Sequence, residues 1–151
     1  MPADPYVTGL KMLARRELSE VQLRSRLARR QFSPDDIDSA IDRLRREQSL
    51  DDSRTARACA RDEVHLKRHG RTRVLRQLKA LGIAGDVARE AVREAFSEVD
   101  EDALLDQAFK RRVGTGATLD SADMRRMHRY LIGQGFDPGR VTTLIREHKR
   151  R

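Results

Sequence analysis

The sequence predicts an all-α protein made of three tandem three-helix repeats, elongated and curved. Three observations lead there. A phrase recurs: "RRQFSPDDI" at 29–37 returns as "GQGFDPGRV" at 133–141, and a worn copy, "ALGIAGDV", lies at 80–87. Phe32, Ile83 and Phe136 stand 51 and 53 positions apart, a spacing typical of helical repeats. Apolar residues fall three and four apart, and no alternating β-branched run competes with that period. The chain of 151 residues is also lean, with 38% apolar residues, 4% aromatic, no Trp and 37% charged. That composition suits several small cores with wide exposed surface, each triplet packing modestly on the next. The expected domains are 1–50, 51–99 and 100–151.

In the first triplet, a helix from about Pro5 to Arg16 supplies Leu10, Leu13 and Ala14. Ser19 and Gln22 have capping-box spacing, so the second helix starts there, with Leu23 and Leu27 on one face. It stops near Arg30, and Phe32 follows as a buried turn residue. Ser33 caps the third helix and Pro34 fits its first position, where no N–H is needed. Asp35 and Asp36 face the positive end of the helix dipole, while Arg43, Arg45 and Arg46 lie near the negative end. Ile37, Ile41 and Leu44 form its apolar stripe.

The same grammar returns twice. A leading helix is expected over 51–68, with Asp51 and Asp52 as its cap. Val74, Leu78, Ile83, Val87 and Ala91 then take the roles of Leu23, Leu27, Phe32, Ile37 and Ile41, with one residue missing between Ile83 and Val87. The third triplet leads with a helix over 100–112. Met127, Leu131, Phe136, Val141 and Ile145 follow at the original spacing, and Asp137-Pro138 repeats the Ser33-Pro34 start. Gly70, Gly82 and "GTGAT" at 114–118 mark breaks.

Net charge is +8 and the pI about 10.5, which favours polyanions or acidic protein surfaces as partners. Cys59 is the single cysteine, so neither an internal disulfide nor a cysteine metal cluster forms, and a reducing compartment follows. It lies among Ala56, Ala58, Ala60 and Val64 and reads as a small packing residue. No run of about 18 apolar residues offers a membrane span, and "MPADPYVTGL" is no secretion signal, so a cytoplasmic protein is expected. No catalytic constellation, cofactor motif or P-loop is found, and the chain reads as a non-enzyme. His65 and His69 have metal-chelating i, i+4 spacing but lack a third ligand. They and His128 and His148 read as solvated surface groups.

The stretch "ARRELSEVQLRSRLARRQFSPDDIDSAIDRLRREQSLDD" at 14–52 resembles the RecX family of recombination regulators. Arg16, Ser19, Gln22, Leu23, Leu27, Leu50, Asp51 and Asp52 carry the likeness in the first triplet. Arg54, Ala58, Gly70, Arg73, Leu78, Gly82 and Ile83 continue it, and "RRMHRYLIGQGFDPGRV" ends it. The likeness spans roughly 6–149. The chain departs from the family pattern at Thr55, where an aromatic is usual, and at Arg68-His69-Gly70-Arg71, where Gly-aromatic-Gly-Pro is favoured. The resemblance implies a partner, the RecA recombinase filament on single-stranded DNA. It also implies an inhibitory effect on ATP hydrolysis, strand exchange and co-protease activity. Separately, a monomer is expected.

The residues offer their own candidates for that contact. With Val74 facing the core, a helical wheel puts Arg73 and Arg76 on the far side, and the register maps them onto Arg126 and Arg129. Arginine grips carboxylate or phosphate with paired donors. Lys67, Arg68, Arg71 and Lys79 surround the first pair, and residues 61–79 carry a net charge of +5. Arg26, Arg29 and Arg30 are further candidates, and the tail "REHKRR" at 146–151 grips an anion or frays. A competing reading is a direct, largely sequence-independent DNA-binding helical protein.

Overall fold

In a computed structural model, which describes residues 2–114 and 118–150, the chain forms nine helices and no strand among those residues. They are α1 (Pro5–Arg15), α2 (Glu20–Arg29), α3 (Pro34–Arg46), α4 (Asp52–His65), α5 (Arg71–Ala80), α6 (Gly85–Phe96), α7 (Glu101–Val113), α8 (Ser121–Gly133) and α9 (Pro138–Arg150). Of the expected "GTGAT" break, Gly114 and Thr118 fall within the described residues, whereas 115–117 lie outside them, as does Arg151 of the basic tail. The chain gathers into two compact units, one of 1–59 with 78–91 and one of 60–77 with 92–151. The middle triplet contributes to both.

The starts follow the expected chemistry. Ser19 and Gln22 close a full capping box, with Gln22 N–H to Ser19 Oγ at 3.1 Å and Ser19 N–H to Gln22 Oε1 at 3.0 Å. Ser33 Oγ accepts from the Asp36 amide at 3.1 Å, and Pro34 is the first residue of α3. Asp137 accepts from the Arg140 amide at 3.0 Å at the start of α9. A second capping box, Asp120 with Asp123, starts α8 one turn earlier than the repeat register requires.

The recurring phrase is a helix stop. Gln31, Gly82 and Gly135 occupy the same register position and share a left-handed backbone, with φ of 67°, 83° and 99°. After α5, the Gly82 amide bonds to the Lys79 carbonyl and the Ile83 amide to the Leu78 carbonyl. After α8, Gly135 bonds to Ile132 and Phe136 to Leu131 in the same pattern. This is a Schellman cap, which calls for an apolar residue just past the left-handed one to cover the last turn. Ile83 and Phe136 are buried in that role and Phe32 is half-buried against the first core.

The spacing of the second copy differs from the expectation. Ala88 and Val92 are buried, at 0% and 6% exposure, while Val87 is only half-buried. The Ala88 amide reaches the Ala84 carbonyl just as Ile37 reaches Ser33 and Val141 reaches Asp137. No residue is missing. The true counterparts of Ile37 and Ile41 are Ala88 and Val92, and the small side chain of Ala88 disguised the register.

In the first unit, Leu18, Leu23, Leu27, Ile37, Ile41, Leu44 and Leu50 form the core, with α1 laying Tyr6, Leu10, Met12 and Leu13 against it. Gly9, rather than the exposed Ala14, is the buried small residue of α1. Burying a leucine fully stabilises by about 1.5–3 kcal/mol. In the second unit, Leu104, Leu105, Phe109, Met124, Met127, Leu131, Phe136, Val141 and Ile145 are buried.

Triplets meet through a repeated junction. In the first unit, the start of α2 meets the stop after α5. Ser19 Oγ donates to the Leu81 carbonyl at 2.5 Å, and a Cβ on Gly82 would lie 2.6 Å from that of Val21. In the second unit, the start of α5 meets the stop after α8. The Gly70 amide donates to the Gln134 carbonyl at 2.8 Å and the Thr72 amide to the Gly135 carbonyl at 3.2 Å. A Cβ on Gly70 would stand 2.5 Å from the Gly135 carbonyl carbon and oxygen. At the second junction free amides at a helix start thus satisfy free carbonyls at a helix end, and at the first the Ser19 hydroxyl takes that part.

Candidate partner-binding surface

The expected arginine pair of the middle triplet divides. Arg76 is exposed and has no ion-pair partner among the described residues. Arg73, expected to face outward, is half-buried instead. It leans over the α8 stop, where its Nη1 donates to the Gly133 carbonyl at 3.3 Å and a Cβ on Gly135 would touch its own Cβ and amide at 2.5 Å. Arg73 therefore belongs to the junction. The wheel placed it from α5 alone and could not see the turn packed alongside.

In the third triplet, Arg129 is exposed and unpaired among the described residues, whereas Arg126 is exposed but paired with Asp123. Asp123 is held below the ordinary carboxylate range, first by the Asp120 amide and then by Arg126. Arg125, one turn before Arg129, is also exposed and unpaired among the described residues. Reading the repeat strictly at the mapped positions missed it, although the i, i+4 spacing of Arg125 and Arg129 was available.

The cations around α5 divide in the same way. Lys67 binds buried Glu63 at 2.8 Å, and Arg71 binds Glu101 at 2.8 Å with its guanidinium 4.9 Å from the centre of the Phe96 ring. Arg68 is half-buried and left-handed, with φ of 59°. Lys79, in the first unit, is exposed and unpaired among the described residues, as are Arg29 and Arg30, while Arg26 is half-buried. The second unit also has an acidic side. A groove of about 720 Å³ between α7 and α9 is rimmed by Asp102, Asp106, Asp137 and Glu147, crossed by the Arg140–Asp102 pair at 3.1 Å. Such a rim repels phosphate.

His69 does not match the expectation of a solvated surface group. It is 9% exposed, and its Nδ1 lies 2.5 Å from Oε2 of Glu63, itself 3% exposed. His65 is exposed, and His128 and His148 are half-buried against Thr142 and Phe109 respectively. Among the described residues no group of three His, Cys, Asp or Glu is placed to hold a metal ion. Asp51 caps α4 through the Arg54 amide at 3.1 Å, but Asp52 instead accepts from the Glu20 amide of α2 at 2.8 Å. No helix among the described residues is long and apolar enough to cross a membrane.

Capped three-helix units bearing exposed cations define a class: an all-α helical-repeat protein. Family models agree in detail. The first three-helix domain of RecX matches residues 6–44 and the second three-helix domain matches 51–92. The chain belongs to the RecX family. Among its relatives, the regulatory protein RecX of Syntrophotalea carbinolica is 32% identical over 135 residues, covering 88% of each chain. That of Treponema pallidum is 36% identical over 121 residues, 78% of this chain and 74% of its own. The crystal structure of RecX from Lactobacillus salivarius, 17% identical, superimposes with a TM-score of 0.77 over 97% of this chain and 96% of its own. That likeness establishes a shared fold.

Proposed function

We propose that this chain binds the RecA recombinase filament on single-stranded DNA as a monomer and restrains it. Restraint here means slower ATP hydrolysis, strand exchange and co-protease activity, so that DNA repair and the SOS response are modulated in the cytoplasm. The observation that carries the reading is membership of a regulatory family joined to unpaired arginines displayed from the repeated helices. Arg76 and Arg129 are the leading contacts, with Lys79, Arg29 and Arg30 as further ones. Lys67, Arg68, Arg71 and Arg126 act through their local pairs and flanks, and Arg73 shapes the junction behind Arg76.

The test measures DNA-dependent ATP hydrolysis by RecA with and without the protein. Slower hydrolysis at substoichiometric protein is expected, and an unchanged rate would falsify the proposal. Replacing Arg76 and Arg129 with Ala together should weaken filament binding about tenfold or more while leaving helicity intact, since charged contacts are worth about 1.5–3 kcal/mol.

A second reading, sequence-independent DNA binding, draws on Arg125 and Arg129, exposed one helical turn apart. It requires affinity for bare DNA that falls steeply with salt. Binding that ignores salt, or none without recombinase, rejects it.

A further inference from the structure

Between α4 and α5 the chain turns through Leu66–Gly70, and one carboxylate holds that turn from inside. Glu63, 3% exposed, takes Lys67 Nζ at 2.8 Å on one oxygen and His69 Nδ1 at 2.5 Å on the other. Its backbone carbonyl takes the His69 amide at 2.9 Å. The Asp62 carbonyl takes the amides of Leu66 at 2.9 Å and Lys67 at 3.1 Å, and Gly70 is tied to Gln134. Arg68 completes the turn in the left-handed region, where a non-glycine residue is uncommon and must be held by its surroundings. Little freedom is left to this backbone.

The turn displays a leucine. Among the described residues Leu66 is the most exposed large apolar side chain, at 74% against 52% for Val21 and 41% for Val7. Arg61, His65 and Lys67 are exposed beside it in sequence, with Asp62 as the one exposed acid. Arg71 is engaged by Glu101. A leucine on a clamped backbone can be covered by a partner without the cost of ordering the chain that carries it. A phosphate backbone offers no pocket for such a side chain. A protein pocket with an apolar floor and an acidic rim matches both the leucine and the surrounding cations.

We propose that the turn at 66–69 is a preformed contact for a protein partner, with Leu66 as the apolar anchor and its basic neighbours steering the approach. The proposal rests on the recombinase reading and gives it a specific foothold: the pocket belongs to the recombinase.

The experiment compares the full-length chain with Leu66→Ala on RecA filaments assembled on single-stranded DNA, and on the same DNA without recombinase. Filament affinity should drop about tenfold, mostly through faster dissociation, while binding to bare DNA and the melting temperature stay unchanged. Arg61→Gln should slow association and flatten its salt dependence. Wild-type affinity in Leu66→Ala overturns the assignment, as does an equal loss on bare DNA, and either result leaves the recombinase reading standing. A wild-type chain that does not bind the filament overturns both.

Discussion

Glu63 is a charge in a nearly dry place. Burial opposes its ionisation, yet hydrogen bonds from Lys67 and His69 outweigh burial and hold its pKa below the ordinary value. A carboxyl lowered on folding stabilises the native state above its unfolded pKa, about 4.3, and that share is lost as pH falls through the lower folded value. Glu63→Gln should therefore destabilise at pH 7, by about 2 kcal/mol, and show a shallower acid limb than the wild type in denaturation followed by circular dichroism. Parallel acid limbs would contradict the role given to this carboxylate. Thr55 and Arg54 act similarly in the first unit. Thr55 is 3% exposed and donates to Glu17 at 2.7 Å, while Arg54 binds Glu17 at 3.0 Å and the carbonyls of Gln48 and Ser49 beyond α3. A hydroxyl thus fills the position where the family usually has a ring. From the sequence His69 reads as a surface residue, because its partner lies six positions away on the other side of a helix end, beyond the reach of any helical wheel.

The helices themselves were largely legible. Caps at Ser19, Ser33 and Asp137 are chemical statements made within four residues, so the sequence alone displays them. The helix expected over 51–68 ends three residues early, at His65, because nothing local announces that Arg68 turns left-handed; the turn is held by Glu63 and Gly70. The junctions were also out of reach, since Gly70 and Gly135 approach each other from 65 positions apart. They are the more sensitive for it. Gly70→Ala places a methyl against backbone that no rotamer change can move, and it should cost about 3 kcal/mol or more. Gly133→Ala, with open space around the added Cβ, is the matched control and should change the melting temperature little. Equal stability of the two variants in a thermal melt would show that the close approach is not kept in solution.

At the scale of the whole molecule, α4, α5 and α6 each run from one compact unit into the other. Boundaries at 1–50, 51–99 and 100–151 follow the repeated sequence, whereas the packing divides the middle triplet. One calorimetric transition is expected rather than three, because melting either unit strips partners from the same three helices. Three resolved transitions would favour independent triplets. The surplus of positive charge was plain from composition, but which cations remain unpaired depends on acids brought near by folding, as Glu101 is for Arg71 and Asp123 for Arg126.

Gln31 stands where the other two stops have glycine. Each junction needs bare backbone at that position to admit an incoming helix start, and here a side chain projects instead. An incoming helix start would meet that side chain, so a chain engineered to carry a fourth triplet ahead of the first would require glycine at 31 before the new joint could close.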